Sequence, residues 1–278
     1  MEQSNSPLKK YQRQPKLYIS LPSQGKWYPS GALEKHDEVE VYSMTAGDEI
    51  NVKTPDALYS GNAVVKLIQN CIPGIKDAWY VPIIDLDYIL AAIRLSSYGE
   101  NVELSAKCPH CSEPSDYAIA IQNILDHMQT VEFVNEVRVN DFIFKLRPLY
   151  YKEANKLTKE SYTVQRLLKQ YVANIADEEK QQEELTKLYE RLNEMTKSVI
   201  FSSVIEVVTP DNETEKHYQF IRDFLENGDA EYYNAIKDIF DQNNERFQIP
   251  KTTVVCGSCT KEYSVVPALN YTDFFSQS

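Results

Sequence analysis

Basic residues are scarce in this chain: 29 Lys and Arg stand against 41 Asp and Glu in 278 residues, a formal net charge of −12. A surface of that sign repels phosphate, so neither nucleic acid nor a membrane is expected as a partner. A nucleic-acid binder would need a local basic face. Glycine is also sparse, 8 residues beside 13 Pro, which excludes a collagen-like or Gly-rich low-complexity polymer. No apolar run approaches the roughly 20 residues that cross a bilayer; the best stretch, 79–95, is interrupted by Asp85, Asp87 and Arg94. No apolar segment follows Lys9, Lys10, Arg13 and Lys16, so a secretory leader is not expected. Phosphate loops, dinucleotide fingerprints, H-E-x-x-H and G-x-S-x-G are all missing, and an enzyme is not expected.

What remains is a chain with enough to bury, 42% hydrophobic with 19 Tyr and 10 Phe. It reads as α+β: a small N-terminal α/β domain carrying a split four-cysteine ribbon, with a long helical insertion. Residues 1–16 are polar and read as a flexible arm. Residues 17–130 form the N-terminal region, with strands at 17–21 and 39–42. Thr45 and Asp48 there match a capping box, and Thr54 with Pro55 an N-cap and N1 pair. Helical stripes follow in Ala63, Val64, Leu67, Ile68 and Cys71, and in Leu86, Ile89, Leu90 and Ile93, before Gly99. Cys71 falls on the first stripe and reads as a buried small hydrophobe. Asp85 and Asp87 read as N-cap and dipole partners rather than as a metal pair. Residues 131–149 read as a hairpin turning at Asn140-Asp141.

Residues 150–246 contain one Gly, Gly228, and one Pro, Pro210, and read as a helical block. Val164, Leu168, Tyr171 and Ile175 form one stripe, Leu185, Leu188, Leu192, Met195 and Val199 another, and the acidic run 177–184 is expected to separate them. Two shorter helices are expected at 218–226 and 231–240. Residues 247–278 hold the second cysteine pair and a tail, Tyr271 to Phe275, expected to dock on its own domain.

Chemistry concentrates in Cys108-Pro109-His110-Cys111 and Cys256-Gly257-Ser258-Cys259, two C-x-x-C knuckles each preceded by a β-like run. Two thiolates three residues apart reach one tetrahedral ion, and a second pair completes the shell, so Cys108, Cys111, Cys256 and Cys259 are expected to hold one structural Zn2+. Cys111 and Cys256 lie 145 positions apart, far beyond ordinary ribbon spacing, which makes residues 112–255 an insertion in the ribbon. A thioredoxin-like redox pair leaves the second knuckle unexplained. His110 is expected at the turn, not on the ion, and His36, His127 and His217 lack partners at ligand spacing. Five Cys, four in close pairs, fit a reducing compartment.

Four segments, Leu21-Pro22-Ser23-Gln24-Gly25-Lys26-Trp27-Tyr28-Pro29, Met44-Thr45-Ala46-Gly47-Asp48-Glu49-Ile50, Leu58-Tyr59-Ser60-Gly61-Asn62-Ala63-Val64 and Ile93-Arg94-Leu95-Ser96-Ser97-Tyr98-Gly99, resemble in content and order the baseplate hub assembly protein family of T-even-type tailed phages. The resemblance covers about residues 17–125. It implies a non-enzymatic viral protein, expressed late, that helps to build the baseplate hub of a contractile tail. Its expected partners are other hub or tape-measure proteins, and its expected location is the host cytoplasm or the virion baseplate. The alternatives are a stoichiometric baseplate subunit and a zinc-ribbon nucleic-acid-binding protein. Trp27 and Tyr28 sit in a loop flanked by Pro and Gly and are the candidate partner-binding residues, with core packing as the competing reading.

Overall fold

The computed structural model describes residue 8 and residues 11–35, 38–54, 59–170 and 177–266. Pro55, Leu58, Tyr171, Ile175, His36, the C-terminal aromatic tail and most of the N-terminal arm lie outside the described residues. The chain divides into two compact units.

The first unit takes residues up to Ala78, Asp85–Thr130 and residues from Ile249 onward. Strands β1 (Leu17–Ile19) and β2 (Val39–Val41) pair antiparallel. Thr45 then caps helix α1 (Ala46–Val52), and the expected capping box is formed: Asp48 N donates to Thr45 Oγ1, and Thr45 N donates back to the Asp48 carboxylate at 2.8 Å. Helix α2 (Asn62–Cys71) buries the predicted stripe, and its Asn70 Nδ2 donates to Asp48 Oδ1 at 2.8 Å, tying the two helices. Cys71 is fully buried, and burial pushes its thiol up to about 12.

Helix α3 (Ile83–Tyr98) is covered more completely than a single stripe predicts: Tyr88, Ile89, Leu90, Ala91, Ala92 and Ile93 are consecutive and all buried. A helix apolar on all sides belongs inside a core. Strands β3 (Asn101–Lys107) and β4 (Pro114–Ala120) form a hairpin, helix α4 (Ile121–Gln129) follows, and β9 (Thr252–Val255) and β10 (Glu262–Val265) form a second hairpin.

Two expectations in this unit are corrected. Described residues at the end of the arm are anchored, because Arg13 donates to Ser43 O at 2.6 Å and to Asn70 O at 2.7 Å. Asn70 lies in the last turn of α2, where carbonyls lack helical partners and a guanidinium is a good cap. Asp85 does not cap α3: its buried carboxylate accepts from Ser23 N (2.8 Å), Ser23 Oγ (2.5 Å) and Tyr28 Oη (3.0 Å) and fastens the 21–28 loop.

The second unit takes Trp79–Ile84 and Val131–Gln248. Its antiparallel sheet has the order β5 (Glu136–Val139), β6 (Phe142–Leu146), β7 (Val204–Val208), β8 (Thr214–Glu215). Asn140 and Asp141 both adopt positive φ, as a tight hairpin turn requires. The block 150–246 is therefore not wholly helical. Val204-Ile205-Glu206-Val207-Val208 is rich in β-branched residues, and it enters the sheet with Val204 and Val207 buried.

The helices are α5 (Tyr151–Gln170), α6 (Glu178–Ser203), α7 (Tyr218–Asn227) and α8 (Ala230–Arg246). The acidic run begins at the N-cap of α6 and occupies its first turns. Asp177 caps the helix by accepting from Glu179 N and Lys180 N, and Glu178 and Glu179 meet the positive end of its dipole. Arg191 on α6 pairs with buried Glu160 on α5.

Val137, Phe144, Leu146, Ile200, Phe201, Ile221, Leu225 and Ile236 make one core. Phe142, Phe144, Phe224 and Tyr232 cluster around it with ring centroids 5.3–6.5 Å apart. Gly228 stands where α7 turns into α8, and a Cβ there would meet Phe224 O at 2.7 Å and the Tyr232 ring at 3.2 Å. The absence of a side chain allows this close approach. Arg147, at the end of β6, grips Glu153 through two bonds of 2.6 and 2.8 Å and donates to Ser202 O at 2.9 Å, locking strand, α5 and α6 together.

Candidate metal centre

Each knuckle sits at the tip of a hairpin, and the two tips are near replicas. Cys108 N donates to Glu113 O and Ser112 N to Cys108 O, at 3.0 and 2.9 Å; Cys256 N donates to Lys261 O and Thr260 N to Cys256 O, both at 3.0 Å. In each, the residue after the second cysteine takes positive φ, Ser112 at 64° and Thr260 at 57°. The turn points both sulfurs to one side, and amides back them: His110 N donates to Cys108 Sγ at 3.4 Å.

Strain is largest at Thr260, since a β-branched residue is disfavoured at positive φ. Replacing Thr260 with Gly is expected to raise stability by about 1 kcal/mol without changing metal content, measured by thermal melting and metal analysis. A loss of stability would mean that the Thr260 Oγ1 bond to Cys259 O, 2.8 Å, outweighs the strain.

The four sulfurs converge. Cys108 Sγ lies 3.7 Å from Cys259 Sγ and Cys111 Sγ 3.6 Å from Cys256 Sγ, and all four lie within 4.8 Å of one another. A tetrahedron with metal–sulfur bonds of about 2.3 Å has sulfurs about 3.8 Å apart, so the donor set fits a metal ion. Thiols alone make an uneven cluster. The amides of Cys259 and Ser258 draw Cys256 down to about 6, whereas Cys111, despite the Glu113 amide, is held up to about 12 by desolvation and by its sulfur neighbours. A divalent cation removes that conflict by stabilising every thiolate. Below the cluster the hairpins also touch through Tyr117 and Tyr263, hydroxyl to hydroxyl at 3.0 Å.

Among the described residues this is the group of His, Cys, Asp and Glu that could hold a metal. The structure brings all four predicted cysteines together and leaves out His110, which is exposed at the turn, as well as His127 and His217. Tyr28, one of the two candidate partner-binding residues, has a buried ring and donates its hydroxyl to Asp85, while Trp27 is half-buried. The spacing within Leu21–Tyr28 gave no sign of this, because the acceptor lies 57 residues from Tyr28. Lys107 and Lys261 flank the knuckles but are surrounded in sequence by Glu103, Glu113, Asp116 and Glu262, all exposed.

No helix among the described residues is long and apolar enough to cross a membrane. Neither curated proteins nor solved structures give a significant match to the chain. The family described as T4 bacteriophage base plate protein matches it over residues 15–276, a span that contains both knuckles and everything between them. The chain belongs to the T4-type bacteriophage base plate protein family.

Proposed function

We propose that this protein acts in the assembly of the baseplate hub of a contractile phage tail, through protein contacts and without an enzymatic step, and that one structural Zn2+ closes its ribbon. The family match over nearly the whole chain carries this reading. The metal centre supports a structural role, because four cysteines fill a tetrahedral shell and leave no open position for substrate. Thiolate donors in this geometry favour zinc over magnesium or calcium, which prefer oxygen. The acidic residues around the knuckles, with only Lys107 and Lys261 beside them, speak against phosphate as the partner of the ribbon. Hub or tape-measure proteins met in the host cytoplasm are the partners this reading assigns.

A second reading, a permanent baseplate subunit, is favoured by the way the ribbon joins distant parts of the chain, which suits a part that must not come apart. Quantitative mass spectrometry of purified virions beside infected-cell lysate separates the two. Abundance in lysate with absence from particles is the result expected of an assembly factor. Retention at a fixed multiple of the tail's three- or six-fold symmetry would replace that reading with the permanent subunit.

A further inference from the structure

The four thiols have a second chemistry that metal binding leaves unused. Two sulfur–sulfur contacts, Cys108 with Cys259 at 3.7 Å and Cys111 with Cys256 at 3.6 Å, run from one hairpin to the other, within a cluster whose four sulfurs all lie within 4.8 Å of one another. We propose that, when the metal is lost under a two-electron oxidant, the cluster closes as two crossed disulfides, Cys108–Cys259 and Cys111–Cys256, so that covalent bonds take over the ion's role as staple. The inference rests on the reading of these cysteines as one metal-holding cluster.

The preference for crossed bonds follows from where each part can move. A disulfide needs its sulfurs about 2.05 Å apart, so each pair must approach by roughly 1.6 Å. Strands β3–β4 and β9–β10 belong to separate two-stranded sheets, and a small shift of one hairpin against the other breaks no ladder hydrogen bond. Closure within a knuckle must come from the turn itself. That turn is fixed at both ends by the amide bonds to Glu113 O and Cys108 O, or to Lys261 O and Cys256 O, and it already holds Ser112 or Thr260 at positive φ. Cys71 is buried in α2 and does not belong to the cluster.

Each bond removes two electrons and two protons from a pair of thiols. Hydrogen peroxide accepts them and leaves as two waters; diamide accepts them and leaves as the hydrazine. From a metal-bound cluster the four sulfurs are thiolates, so each bond would remove two electrons only, the oxidant would take its two protons from solvent, and Cys108, Cys111, Cys256 and Cys259 would no longer be able to hold the ion. The ribbon thus has two ways to stay shut, one suited to a reducing compartment and one to an oxidising medium.

The test uses the full chain purified with its metal, treated with a chelator and then with diamide or hydrogen peroxide, and mapped by proteolysis without reduction. Expected are peptides linking Cys108 to Cys259 and Cys111 to Cys256 and an intact mass lower by four hydrogens; in a parallel sample oxidised without chelator, metal release is expected in step with bond formation. A Cys108→Ser/Cys259→Ser double variant is expected to retain the Cys111–Cys256 link. Bonds within the knuckles, bonds to Cys71, or sulfinic and sulfonic products without disulfide would overturn the proposal. So would an oxidised, chelated protein that melts no higher than the reduced, chelated one. Metal content of the untreated protein is measured separately: crossed bonds in a protein that never carried metal would defeat the metal reading alone.

Discussion

If the four cysteines hold one structural Zn2+ as proposed, replacing Cys256 with Ser is expected to take bound metal from one ion per chain to none and to lower the melting temperature by roughly 10 °C or more. Cys256 is fully buried at the second knuckle, and backbone amides of Cys259 and Ser258 favour its thiolate. A serine hydroxyl is neither as acidic nor as polarisable, so a three-thiolate remnant loses the affinity that holds β9–β10 against β3–β4. Because a structural ion's binding energy is folding energy, losing it removes several kcal/mol, which shifts melting by about 10 °C in a unit of this size. Metal analysis and calorimetry measure both effects, and chelation of the wild-type protein should reproduce the variant's melt. His110→Ala serves as the control, since the exposed imidazole lies outside the cluster. Unchanged zinc content in Cys256→Ser would refute the site.

The next largest effect is expected at Asp85. Asp85→Ala leaves the Ser23 amide, the Ser23 hydroxyl and the Tyr28 hydroxyl without their acceptor in a buried setting. With part of the loss offset by removal of a buried charge, the cost is about 3 kcal/mol, read from urea denaturation. A pH dependence accompanies it. Burial raises the Asp85 carboxyl to about 6, and the bonds from Ser23 and Tyr28 only partly counter that rise. An unfolded Asp titrates near 3.9, so between about pH 4 and 6 the folded state binds more protons than the unfolded one. Stability from this group is therefore greatest at the acid end, falls as pH rises through that window, and is level above it. Asp87, also pushed up to about 6 by burial, acts in the same direction. Relative to Asp85→Asn, which stays neutral, wild type is expected to lose up to about 3 kcal/mol between pH 4 and pH 7. A difference between the two proteins that does not change with pH would show that Asp85 keeps an ordinary carboxylate's acidity.

What could be read from residue order was whatever is governed by near neighbours. The Thr45–Asp48 box, the stripe ending at Cys71, the turn at Asn140-Asp141 and the two knuckles are all settled within a few residues, and each is in place. The convergence of the knuckles could be inferred across 145 positions only because thiolate pairs have so few other uses. Asp85 offered no comparable clue. Its partners lie 57 and 62 residues away, and an acid at a helix start has a commoner local explanation. Val204–Val208 was hidden by its setting, directly after the long helix α6 and within a segment poor in Gly and Pro, although its β-branched composition was the available signal. Arg13 is illegible for a related reason: its polar neighbours point to a solvated arm, whereas the carbonyls it caps are supplied by α2 and by Ser43.

The order in which the parts leave the ribosome gives the divided first unit a kinetic consequence. Translation at about 5–20 residues per second takes on the order of ten seconds to pass from Cys111 to Cys256. Throughout that interval the first knuckle has two thiolates and no second pair, while the second unit, whose sheet and helices come from Val131–Gln248, is completed on the nascent chain. Synthesis therefore makes closing the ribbon a late event, one that can occur only after the inserted unit has been synthesised.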